Sequence, residues 1–280
     1  MTSTALGDAR TTYRQLRVAM PLLVVLLAAA VLQQIFKPEP NCWLGSISAY
    51  YYTPARAVFV ASLCAIGICL IIYRGSTPRE DAVLNLPGVL AFVVAFIPTP
   101  LQELTVEPDG CRHSNVPTET QLATALNNNI FALLTGLTVA VVVVMAFRAM
   151  QVSSATPVPT YGFAVFVAAG WVWFAADPAS LRQHGHLTAA ILLFIGIVAV
   201  TVMHAFHIGW LDPKSTLARA PYRGIYRAIL AVMIVGFVVI GGLAVFASFD
   251  HTVFWLESLF ITLFAAFWIT QTVELWHDTD

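Results

Sequence analysis

The chain has 280 residues, of which 59% are hydrophobic and only 10% charged. Soluble domains carry about 25% charged residues, so this composition excludes a water-soluble globule, whose surface so few charges could not cover. A formal net charge of −1 gives no electrostatic footprint for nucleic acid.

The apolar residues fall in blocks of about 16–22, the length that crosses a bilayer as a helix. In chain order they are Val18–Phe36, Ala55–Tyr73, Val83–Ile97, Asn129–Phe147, Tyr161–Ala176, Leu187–Phe206, Ile225–Phe249 and Val253–Val273. The expected fold class is therefore all-α, a polytopic transmembrane bundle of about eight spans. Residues 1–17 form a cytoplasmic N-terminal segment, 18–276 a single transmembrane domain and 277–280 a short tail. Arg10, Arg14 and Arg17 before Val18–Leu32, with Ala28-Ala29-Ala30 inside it, also fit a secretory signal peptide. The apolar run continues to Phe36, which favours an uncleaved first helix.

Lysine and arginine orient the chain. With the N-terminus in the cytoplasm, the inner segments hold Arg10, Arg14, Arg17, Arg74, Arg79, Arg148, Lys214, Arg219, Arg223 and Arg227. The outer segments hold Lys37, Arg56, Arg112 and Arg182. That asymmetry is the positive-inside bias of a multi-pass inner (plasma) membrane protein with both termini cytoplasmic. Removing one middle span would move Lys214–Arg227 outside. Prolines 38, 40, 98, 100, 157, 159 and 178 punctuate the breaks. The longest loop, Pro98–Asn128, is acidic and outward, and no internal repeat supports an inverted-repeat transporter.

Cys64 and Cys69 lie within the second span, as small apolar residues of a helix. Cys42 and Cys111 fall in outer loops, in an oxidising compartment, so a Cys42–Cys111 disulfide tying the first outer loop to the second is expected, the alternative being two free thiols.

Charged groups in lipid cost at least about 2.5–3.5 kcal/mol each, so each needs a reason. Glu257 stands one turn inside the eighth span, Arg56 at the outer start of the second, and His186 at the outer start of the sixth. These residues, with Ser48 and Tyr52, are expected at one depth as an outward-facing ligand pocket. The alternative is an Arg56–Glu257 ion pair that fixes packing, with His186 as an interfacial cap. On the inner side, His204 and His207 share a helical face near Glu80, Asp81 and Asn85. His204, His207 and Asp81 are weak metal candidates, against interfacial snorkelling. Arg219, Arg223 and Arg227, interleaved with Tyr222 and Tyr226, read as headgroup contacts and an orientation anchor. The tryptophans and Tyr50–Tyr52 follow the interfaces as an aromatic belt, while Gly241-Gly242 and Ala168-Ala169-Gly170 permit close helix approach.

Several segments carry a resemblance. Ser46-Ile47-Ser48-Ala49-Tyr50-Tyr51 with Val58-Phe59-Val60, Glu80-Asp81 with Leu84-Asn85, Tyr222-Arg223-Gly224-Ile225-Tyr226-Arg227 and Phe254-Trp255-Leu256-Glu257 resemble an uncharacterised family of bacterial multispan membrane proteins. The resemblance covers spans two, three and six to eight, and it implies membership without an activity. Members often have histidine in place of Tyr52. The resulting Ser-x-x-x-His is faintly similar to the hydrolases that include alkaline ceramidases and adiponectin-type receptors, where Ser, Asp and several His build a zinc site. This chain departs from them at Tyr52 and lacks a His-x-x-x-His in its last helix. Ser48 is moreover expected outside while Asp81, His204 and His207 are inside, about a bilayer apart.

Three functions stay open: small-molecule or lipid binding and transport through the outer pocket, a membrane-embedded metal-dependent hydrolase, and a structural subunit of a membrane complex. No Walker motif, nucleophile elbow, haem-attachment motif or zincin pattern occurs, so no cofactor is named. The partners the sequence admits are the bilayer, a small-molecule or lipid ligand, and a second copy or another membrane protein.

Overall fold

The computed structural model describes residues 3–36, 43–75, 77–100, 118–150, 157–206, 220–247 and 249–276. These contain eight α-helices and no strand: α1 (Ser3–Ile35), α2 (Arg56–Ile72), α3 (Pro78–Phe96), α4 (Glu119–Ala149), α5 (Pro157–Ala176), α6 (Pro178–Phe206), α7 (Ala220–Ala247) and α8 (Thr252–Glu274). A short 3₁₀ turn, Ser48–Tyr52, precedes α2. Helices satisfy their own backbone groups, which is what a chain in lipid requires.

Five segments are long and apolar enough to cross a membrane: Thr11–Ile35, Glu119–Ala149, Pro178–Phe206, Pro221–Ala247 and Thr252–Glu274. α2 and the Tyr161–Ala176 part of α5 are shorter apolar helices. α3 is 19 residues long and carries Glu80 and Asp81 in its first turn. The chain is thus a transmembrane helical bundle of the class its composition dictates.

Several helices begin before the apolar block that marks them, because caps rather than hydropathy set a helix start. α4 starts at Glu119, where Thr118 and Gln121 form a reciprocal capping box. α6 starts at Pro178, with the Asp177 carboxylate accepting from the Ser180 amide at 2.9 Å. Thr77 caps α3 by accepting from the Glu80 amide at 3.2 Å.

Six helices close a ring. α1 packs on α2, α2 on α3, α3 on α6, α6 on α7, α7 on α8, and α8 returns to α1. α4 and α5 pair with each other outside the ring, against α3 and α6. Ile97, Ile130, Leu134 and Leu181 seat that pair, with Trp171 and Trp173 packed around them. Two larger apolar clusters fill the ring. One surrounds Met20, Leu70, Tyr226 and Trp268, the other Leu27, Tyr50, Leu90 and Phe254.

Polarity is inverted relative to a soluble protein. Val235, Phe237, Val238 and Phe246 of α7 and Val139 and Val142 of α4 face outward, whereas Glu80, His204, Gln271 and Glu257 are buried. Such a surface suits hydrocarbon.

The tightest seam joins α2 and α3. A Cβ placed on Gly67 would meet the Gly88 carbonyl at 2.6 Å, and one on Gly88 the Gly67 carbonyl at 2.9 Å. On the other side of α3, Gly196 of α6 receives the ring of Pro87. Gly170 meets Leu134 closely as expected, but Gly241 and Gly242 have nothing within 4 Å of a built Cβ, so they do not mark a helix contact. Within α7 the close approach is instead Gly236, against Leu259.

Candidate functional site: a cavity and a buried polar cluster

The segment 43–55 turns inward and is held by its own side chains. Tyr50 Oη accepts from the Leu44 amide at 3.2 Å, Ser46 Oγ from the Ala49 amide at 3.1 Å, and Thr53 Oγ1 donates to the Tyr50 carbonyl at 2.8 Å. The first amides of a helix need outside acceptors, and Gly45 supplies one: its carbonyl accepts from Phe254 of α8 at 2.9 Å.

Glu257 completes the clamp. Its Oε2 accepts from the Ile47 amide at 2.5 Å and the Ser48 amide at 3.3 Å, and its Oε1 from Ser48 Oγ at 2.7 Å. The carboxylate therefore sits at the N-terminus of the 3₁₀ turn, where exposed amides favour an anion. This is the physical reason for an acid in an apolar helix.

Beside this clamp lies a cavity of about 70 Å³. Roughly 10–15 Å³ suffices for one water, so the space exceeds a packing defect. It runs inside the ring among Leu27, Phe59, Val94, Leu193 and Phe264, with Ser48 and Glu257 as its polar residues.

The other expected pocket residues lie around the same loop with different partners. Tyr52 donates its hydroxyl to the Thr99 carbonyl at 2.8 Å. His186 is buried and its Nδ1 lies 2.6 Å from the Ile97 carbonyl. Because a carbonyl only accepts, Nδ1 carries the proton. Both residues thereby tie themselves to the chain that follows α3. Arg56 is exposed, donates to Tyr51 Oη at 2.7 Å and stacks on that ring at 4.3 Å from its centroid. The alternative, an Arg56–Glu257 ion pair, is absent among the described residues: backbone amides meet the carboxylate, and Arg56 reaches outward to Tyr51. Ser48 and Glu257 are brought together over the cavity; Arg56 is not part of that contact.

At the opposite end of the ring, where α1 begins and α8 ends, a second polar set is buried. His204 Nε2 lies 2.9 Å from Glu80 Oε1, each side chain being 1% exposed. Gln271 Nε2 lies 3.4 Å from Glu80 Oε1 and 3.4 Å from His204 Nε2. Tyr226 donates to Glu274 Oε2 at 2.6 Å, and the ring of His204 packs on Tyr226 and Phe267. Arg17, also buried, reaches the Gln271 carbonyl at 3.5 Å.

This arrangement revises the inner-face expectation. Asp81 turns away to the Gly75 amide and to Arg74 at 3.2 Å, and its neighbour Glu80 meets His204 instead. Tyr226 is not a headgroup contact, being 1% exposed in the core. His207 lies outside the described residues, among which no group of three His, Cys, Asp or Glu could hold a metal. Cys42 and Cys111 also lie outside them, and the described Cys64 and Cys69 are free. Trp43, Trp255 and Trp276 are partly exposed at the two ends, as an aromatic belt requires.

Sequence reasoning passed over Gln271, named Glu274 only as a point on a transport path, and read Tyr226 as a headgroup contact. One signal was available: Gln271 and Glu274 are three apart in an otherwise apolar helix, so they share a face. Compared with family models, with curated proteins and with solved structures, the chain matches none of them.

Proposed function

We propose that the protein binds and moves a small amphiphile within the membrane, a lipid or lipid-like molecule with one apolar chain. The observation that carries this reading is the cavity inside the helix ring, apolar along its length and bounded at one end by Ser48 and Glu257. An apolar cavity stays dry and takes apolar occupants, and in a bilayer the available occupant is hydrocarbon. The Glu257 carboxylate and the Ser48 hydroxyl supply a fixed polar end, the usual means of orienting a ligand in an apolar pocket. Positive-inside bias puts this end on the outer side of an inner membrane and both termini in the cytoplasm.

The test is native mass spectrometry of protein extracted with its surrounding lipid, comparing wild type with Ala190→Trp and Leu193→Trp, which fill the cavity. A retained amphiphile in wild type that is lost from both variants is the expected result. Equal lipid content in all three would reduce the cavity to a packing void and Glu257 to a clip for the 43–55 loop.

A further inference from the structure

The walls and the polar end of the cavity also select its occupant, an inference that rests on the function proposed above. α2 lines the cavity from Phe59 to Leu70, about 16 Å of helix at a rise of about 1.5 Å per residue. Over that reach its volume is only about 70 Å³, whereas an apolar cavity of about 150 Å³ is the size that takes one benzene ring. The space is therefore slender. A single chain fits between Phe59, Leu63 and Phe264, and a fused ring system does not.

The polar end decides the head. Glu257 Oε2 receives the Ile47 and Ser48 amides, and Oε1 receives the Ser48 hydroxyl. A carboxylate only accepts, and a hydroxyl has one proton with two lone pairs. Ser48 gives its proton to Glu257, so its oxygen turns to a ligand as an acceptor. The cavity thus ends in acceptors beside a negative charge. Among the described residues that line it, no side chain keeps a donor for a ligand.

Three classes of head meet this end differently. A carboxylate, phosphate or sulfonate brings charge of the same sign and finds no donor, in surroundings of low dielectric where repulsion is strong. An ammonium must shed its water in an apolar channel, and the carboxylate that would offset this already receives three donors. A hydroxyl brings one donor and no charge, and a single acceptor satisfies it.

We propose that the cavity takes a neutral single-chain lipid alcohol, its hydroxyl donating to Ser48 Oγ and its chain lying along α2 toward Leu70. Ser48 recognises the head. Glu257 positions Ser48 by fixing the direction of its proton, and its charge turns away anionic amphiphiles.

The experiment is photo-labelling of the full chain in lipid nanodiscs with three octyl probes. Each carries a diazirine in the chain, and the heads are hydroxyl, ammonium and sulfonate. Labelled residues are mapped by mass spectrometry, and labelling of Phe246, which faces outward, corrects for how much of each probe enters the bilayer. The alcohol should label Leu193 and Phe264 at least about tenfold more than either charged probe, because like charge or a stranded cation costs more than one hydrogen bond contributes. Ser48→Ala should reduce labelling by the alcohol about two- to tenfold, the worth of one hydrogen bond, and leave the sulfonate unchanged. Leu193→Trp should abolish labelling of Phe264. Charged probes that label as strongly as the alcohol, and are still blocked by Leu193→Trp, overturn the hydroxyl head and leave the cavity a binding site. A photoreactive sterol that labelled Phe264 would overturn the single chain. If no probe labels Phe264 more in wild type than in Leu193→Trp, the head assignment and the proposed function fall together. Should Ser48→Ala disturb the 43–55 loop, the comparison of heads on wild type still decides.

Discussion

At one end of the ring Glu257 borders open space and is held by the amides of Ile47 and Ser48. At the other, Glu80 is held by the side chains of His204 and Gln271, with Tyr226 and Phe267 stacked on the imidazole. Both are acids on apolar helices, and each is buried. Their partners differ in kind. Amides are fixed dipoles that neither gain nor lose a proton, so the Glu257 clamp is permanent. The Glu80 contacts are side chain to side chain and join α3, α6 and α8. The contrast separates a clamp on one loop from a network that ties helices together.

The largest effect should come from Glu80→Ala. It strips a buried charge-assisted network of its shared acceptor, and a loss of about 3–5 kcal/mol is expected. Thermal unfolding in nanodiscs checks it, and a change within experimental error would make the cluster expendable. Glu257→Ala removes the acceptor for two amides and a hydroxyl and leaves those donors of the 43–55 loop unmatched. The expected cost is about 1–3 kcal/mol, with proteolysis of the 43–55 loop accelerated. If Glu257→Ala proved the more damaging of the two, the ranking of the two ends would be reversed.

Arg56→Gln tests the assignment of Arg56 to Tyr51 instead of Glu257. Loss of an outward cation–π contact should cost about 0.5–1 kcal/mol, and the double variant with Glu257→Ala should be additive. Strong non-additivity would restore the ion pair. Asp81→Asn should matter least, since Arg74 is 72% exposed and its bridge is of the weak surface kind, worth about 0–1 kcal/mol. The amide oxygen of Asn can still accept from Gly75. An effect as large as that of Glu80→Ala would put the functional acid at position 81.

Much of the fold was legible because lipid imposes a single rule, apolar blocks of span length, and the chain obeys it from Val18 to Val273. The ring was not legible: which helices touch depends on shape at Gly67, Gly88 and Gly196, and no periodic signal in the sequence reports that. At the site, Glu257 and Ser48 could be paired in advance because a charge one turn inside a span needs a partner at its own depth. Arg56 misled for a simple reason. An arginine at that depth looks like the natural counter-ion, yet backbone amides do the same task without a second charge. Glu80 and Asp81 were indistinguishable by sequence, since adjacent helical residues differ in direction by about 100° and only packing reveals which one points inward. Tyr226 was obscured by its arginine neighbours, of which Arg223 is half-buried and Arg227 exposed.

The glycine seam between α2 and α3 has a mechanical consequence. Backbones in direct contact leave no side chains to slide or rotate, and Pro87 lodged against Gly196 fastens α6 to the same unit. α2, α3 and α6 therefore form the most closely joined part of the ring. Under the proposed function, the helices left to part and admit a molecule from the bilayer are α1 and α8, which border the cavity through Leu27 and Phe264. An engineered cross-link between α1 and α2 should then trap whatever the cavity holds, whereas one between α2 and α3 should leave exchange untouched.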